Sequence, residues 1–189
     1  MNNTLKESLD SFIAPVYGIG KKRTPEMFKS VANRCTRNIN RLVEEYQLVE
    51  NHQQELREIR IDIDTNLRRY HEYCIQQRDG MKAHYHEVGA DGDCDFEHLI
   101  PLGRIRDLIL ANIITVEQGL NAPTVILSRA KHKALGEAGW ASKTPNMWLP
   151  FERYTNVFAA TYQTHDGTVI DPLTWTLEKH YNYFKHLII

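Results

Sequence analysis

Proline is missing between Pro25 and Pro101, and glycine between Gly20 and Gly80. Without either breaker, nothing in that stretch of chain need interrupt a long helix. Cysteine is scarce as well: Cys35, Cys74 and Cys94 are far apart and form no Cys-x-x-Cys pair, which excludes a zinc ribbon and a disulfide framework. No run approaches the roughly 18 apolar residues of a membrane span, and MNNTLKESLD has no signal-peptide core. A reducing cytoplasm away from membranes is the expected setting. Excess charge is absent too, with 23 Lys and Arg against 24 Asp and Glu. That balance excludes nucleic-acid binding by bulk positive charge and leaves only a local basic patch. The remaining composition, 42% hydrophobic and 25% charged over 189 residues, is that of a globular chain of one ordinary domain or two small ones.

Past a flexible basic run (Gly18 to Arg23), Thr24-Pro25-Glu26 is a helix start. Threonine caps free N–H groups, proline suits the first helical position, and glutamate complements the positive end of the dipole. A seven-residue repeat follows. One seam position reads Phe28, Cys35, Leu42, Val49, Leu56, Ile63, Tyr70, Gln77, His84. The other reads Ala32, Ile39, Tyr46, Gln53, Arg60, Leu67, Cys74, Met81, Val88. Fourteen of these eighteen places are apolar or aromatic, so the pattern predicts a left-handed coiled coil. One continuous helix to Val88, roughly 95 Å long, would pair with a second copy or a partner helix through residues 24–88. An antiparallel hairpin bending near Asn51-His52-Gln53-Gln54 satisfies the pattern equally, and polar Gln53 and Arg60 in mid-seam keep it open. His71, His84 and His86 read as solvated or packing residues. Gly89 to Asp93 is loop punctuation, which divides the chain into an arm (1–88) and a second domain (89–189).

The second half predicts a short strand from Cys94 through Ile100 that ends at Pro101, a helix over Leu102–Ala111, and a capped helix start at Thr115-Val116-Glu117-Gln118. A β-branched strand at Thr124–Leu127 follows, and Ser128 caps a helix beginning at Arg129. His165-Asp166-Gly167 turns a hairpin, and Asp171-Pro172 starts a last helix carrying Leu173, Leu177, Tyr181, Phe184 and Leu187. The fold class expected is α+β.

Glu97-His98-Leu99-Ile100-Pro101, Asn121 ahead of Thr124-Val125-Ile126-Leu127, and His132 early in the next helix together resemble the HNH branch of the ββα-metal nucleases. The resemblance covers residues 94–138. It departs from the family in having glutamate where aspartate is commoner, no zinc-binding cysteine pairs, and a longer connection from His98 to Asn121. The resemblance implies a small ββα-metal domain carrying a metal-dependent endonuclease, with His98 as general base and Asn121 bracing its ring. It implies that Glu97, facing the other side of the strand, joins His132 on a divalent ion, Mg²⁺ or Mn²⁺. Arg104, Arg129, Lys131, Lys133 and Arg153 would rim the site and meet nucleic acid, DNA favoured. The competing expectation is a non-catalytic helical assembly or nucleic-acid-binding protein on a degenerate scaffold.

Overall fold

The computed structural model describes residues 24–187 apart from Asn51, Asp79 and Asp91. The basic run at 18–23 lies outside them. The fold is α+β, a helical hairpin and further helices around a five-stranded mixed sheet. No helix among the described residues is long and apolar enough to cross a membrane.

The first helix, α1 (Pro25–Leu48), starts where the sequence places it, with the Thr24 side chain accepting from the Met27 N–H. It stops at Val49, whose extended backbone breaks the spiral, and α2 (Gln53–Tyr70) returns alongside it. The pairing is antiparallel: Asn38 donates to Asn66 at 3.2 Å and Arg60 to the Tyr46 hydroxyl at 3.2 Å. The continuous helix to Val88 is therefore corrected to the hairpin. Arg60 shows why the fold takes this form. Its guanidinium reaches across to Asp107 at 2.6 Å, so a polar seam residue is satisfied within the chain. Ala32, Cys35, Ile39 and Leu42 of α1, with Ile59, Ile63 and Leu67 of α2, are buried.

After α2 the chain widens into a π-turn (His71–Ile75) and then becomes β1 (Tyr85–Glu87), where the repeat had predicted helix. Next come β2 (Cys94–His98), α3 (Leu102–Leu110), α4 (Val116–Leu120), β3 (Thr124–Ser128) and α5 (Arg129–Glu137). Asn112, at φ +55°, ends α3 in the left-handed region that asparagine tolerates. The sequence-predicted capping box opens α4: Thr115 Oγ1 accepts from the Gln118 N–H and the Gln118 side chain accepts from the Thr115 N–H. Thr115→Ala is expected to cost about 1 kcal/mol in a urea melt, since it strands one donor of that pair.

A short α6 (Glu152–Thr155) precedes the hairpin of β4 (Tyr162–Thr164) and β5 (Val169–Ile170). Thr176 caps α7 (Leu177–Phe184), and a 3-10 turn (Lys185–Leu187) follows. The strand order is β2-β3-β1-β4-β5. β1 runs parallel to β3, whereas β2 and β3 are antiparallel with Glu97 opposite Val125 and His98 opposite Thr124. One hydrophobic core runs from Ala32 and Leu67 through Ile105 and Leu120 to Val125 and Phe184, on both sides of the expected boundary at Gly89.

Candidate functional site

The site is built around β2. In a strand alternate side chains leave on opposite faces, so Asp95 and Glu97 share one face and His98 takes the other. α5 packs across β2 and β3 and brings His132 to the acidic face. Asp95 Oδ2 lies 2.8 Å from His132 Nδ1, and Glu97 Oε2 lies 3.4 Å from His132 Nε2. Hydrogen bonding from His132, with the Arg129 charge nearby, holds the Asp95 carboxyl below its usual range. Glu97 and His132 therefore meet, as the resemblance implied. Asp95 is a third member that sequence reasoning missed, although its place two residues before Glu97 on a strand was the signal.

Two carboxylates and an imidazole form a donor set that suits a divalent cation. Glu97 keeps Oε2 on the His132 side because its Oε1 is held by Arg153 at 2.6 Å. Among the described residues, however, no three such side chains stand as a ready-made metal shell. His132 Nδ1 is hydrogen-bonded to Asp95, and Nε2 faces Glu97 Oε2, so both ring nitrogens lie against carboxylate oxygens.

Arg153 is fully buried and cannot meet a phosphate, which corrects its place in the rim. Its Nη2 donates to Glu97 Oε1, to the His98 carbonyl at 2.5 Å and to the Tyr154 hydroxyl at 2.7 Å; Nη1 donates to the Trp140 and Ala141 carbonyls. The α5 cations are also engaged. Arg129 pairs with Asp93 at 2.9 Å, Lys131 with Glu87 at 2.5 Å and Lys133 with Glu137 at 3.5 Å. Arg104 alone of the expected rim is exposed without an acidic partner among the described residues.

His98 leaves β2 on the opposite face and meets His71, its Nε2 3.0 Å from His71 Nδ1. The tautomers follow from one carbonyl. His71 Nε2 sits 2.9 Å from the Leu120 oxygen, which only accepts, so that nitrogen carries the hydrogen. Burial pushes His71 down to about 4, against the opposing pull of backbone hydrogen bonds, so the ring is neutral near pH 7 and its Nδ1 is bare. His98 Nε2 must then donate. Burial, reinforced by the neighbouring His71 ring and the charges of Arg68 and Arg153, keeps His98 neutral as well, which leaves Nδ1 as its lone-pair atom. The His98 side chain is half-buried. No hydrogen bond, ion pair or ring contact joins it to His132 among the described residues.

Asn121 does not brace His98 directly, which corrects that expectation. Its Oδ1 accepts from His84 Nε2 at 3.0 Å, its Nδ2 donates to the Phe184 carbonyl, and its own carbonyl accepts from His180 Nε2 at 2.7 Å. Beyond His180, the Tyr85 hydroxyl donates to Nδ1 at 2.8 Å and accepts from Trp175 Nε1. The Leu120–Asn121 segment is thus a hub. It orients His98 one residue upstream of the expected asparagine, through the Leu120 carbonyl and His71. His71 and His84, read from sequence as solvated or packing residues, are both fully buried.

No family model, curated protein or solved structure matches this chain.

Proposed function

We propose that the chain is a metal-dependent endonuclease that hydrolyses phosphodiester bonds of DNA, with His98 as the general base. The observation that carries this reading is the meeting of Glu97 with His132, 35 positions apart in the sequence, at 3.4 Å where β2 lies beneath the first turns of α5. The resemblance of the same residues to HNH nucleases supports it. Asp95, Glu97 and His132 would hold a Mg²⁺ or Mn²⁺ ion, which supplies charge stabilisation for the phosphorane and the departing oxygen. His98 Nδ1 takes the proton of the attacking water, and His71 holds that nitrogen unprotonated by accepting from Nε2. His71 is a positioning residue; it touches no substrate. Because His98 and the acid–imidazole cluster leave opposite faces of β2, the phosphodiester crosses the end of the strand to reach both. The competing reading, a helical assembly, has less behind it, since the apolar seam of α1 and α2 is covered within the chain.

Supercoiled plasmid should be nicked or linearised with Mg²⁺ or Mn²⁺ and left intact in EDTA. His98→Ala is expected to lower the cleavage rate about 10²-fold or more. Intact plasmid with every divalent ion tried, or undiminished cleavage by His98→Ala, would overturn the assignment.

A further inference from the structure

Because the α5 cations are neutralised by carboxylates, the substrate must be held elsewhere, and one surface of the hairpin is free to do it. From Met27 to Val43 there is no aspartate or glutamate. Over that span the exposed face of α1 presents Lys29, Ser30, Asn33, Arg34, Arg37, Asn40 and Arg41. Arg41 is closed off by Glu45 at 2.7 Å, but Lys29, Arg34 and Arg37 have no acidic partner among the described residues. The Asn38–Asn66 hydrogen bond sets the register of the hairpin and brings Arg34 and Arg37 alongside the end of α2 that carries the exposed Arg68 and Arg69. Arg34 and Arg69 both lie close enough to the buried Cys35 for their charges to oppose the rise that burial imposes on its thiol. Two residues beyond Arg69 the chain reaches His71, and through it His98.

We propose that Lys29, Arg34, Arg37 and Arg69 form a docking surface for the sugar-phosphate backbone of duplex DNA. Two features favour this ligand. Lys29, Arg34 and Arg37 stand on one exposed side of a single helix, and Lys29 to Arg37 spans roughly 12 Å, the axial run of three to four phosphates on one strand. Asn33 and Asn40 place amide donors among them, the mixture that backbone oxygens accept from. An acidic protein segment carries no such fixed repeat of anionic charge. The choice of ligand rests on the nuclease reading, but its test does not.

The experiment is fluorescence anisotropy of the full chain with a labelled duplex of about 20 base pairs, in EDTA, over a series of salt concentrations. Arg34→Gln/Arg37→Gln/Arg69→Gln should weaken binding at least tenfold, to order of magnitude, and make the slope of log affinity against log salt shallower by about 3. The corresponding triple lysine variant should keep the slope. Arg57→Gln, at the far end of α2, should change little, and circular dichroism should show every variant equally helical. The surface is overturned if the glutamine variant binds like the parent, if Arg57→Gln alone weakens binding as much, or if the parent does not bind the duplex. It is also overturned if phosphatidylserine vesicles bind the same residues as tightly. Binding that follows these expectations without cleavage in Mg²⁺ or Mn²⁺ would sink the hydrolase and keep the surface. Cleavage by a glutamine variant that binds and cuts like the parent would do the reverse.

Discussion

Replacing Arg153 by methionine is expected to lower the unfolding free energy by about 3–5 kcal/mol, the range for breaking a buried ion pair from one side. The guanidinium is fully buried and ties together three parts of the chain: the end of β2 through Glu97 and the His98 carbonyl, α6 through Tyr154, and the connection after α5 through the Trp140 and Ala141 carbonyls. Methionine fills much of the volume but donates nothing. It leaves Glu97 Oε1 without its cation and three carbonyls short of a donor. For a chain of this length the melting temperature should fall by about 10 °C. Urea midpoints of Arg153→Met and of Arg153→Met/Glu97→Gln separate the contributions. The double variant should recover part of the loss, because it removes the stranded charge. A single variant that costs under about 1 kcal/mol would show that Arg153 is no such strut.

Acid is expected to weaken the fold well above the range where carboxylates titrate. His71, His84 and His180 are all buried and engaged as neutral rings, each donating through Nε2 to an oxygen. Burial pushes His71 to about 4 and His180 to about 3, and burial with the neighbouring His180 ring holds His84 well below the usual imidazole value. A folded-state value below the unfolded one means that the unfolded chain binds more protons as pH falls. The stabilising contribution is therefore whole above about 6.5, the imidazole's unfolded value, and drains away as pH descends toward 4 and then 3. At pH 5.5 the three rings together should lower stability by roughly a few kcal/mol relative to pH 7.5. Denaturant melts at the two pH values measure it. Equal stability at both would mean that these rings accept protons without penalty, contrary to their burial.

Local chemistry made several elements readable. Thr24-Pro25-Glu26, the Thr115–Gln118 box and the β-branched Thr124–Leu127 run each carry their own signal, and each forms the element it announces. The hairpin was harder, because the heptad register runs unbroken through the bend and periodicity reports a face without saying which surface covers it. What separates the two arrangements is pairing across the bend, Asn38 with Asn66 and Arg60 with the Tyr46 hydroxyl, which periodicity does not report. β1 was invisible for a similar reason. Tyr85–Glu87 is held by parallel pairing to residues 40 positions later, a long-range partnership that leaves no local trace. Within the site, the Glu97–His132 meeting was legible from residue types and order, and period-two alternation would have added Asp95. The link through His71 was not legible, since a histidine at the end of an amphipathic helix has the same sequence signature whether solvated or wedged beneath a strand. The basic rim misled because counting cations ignores the acids beside them: Asp93, Glu87 and Glu137 neutralise α5 locally.

The sheet order leaves β2 and β5 at its two borders, the first five residues long and the second only two. Three of the five side chains on β2 are carboxylates or imidazole: Asp95, Glu97 and His98. A foreign strand seeking to extend the sheet at β2 would have to lie against this polar row, and at β5 it would find almost no backbone to pair with. The chemistry concentrated on β2 thereby also guards the rim of the protein, denying fibril growth a template on either side.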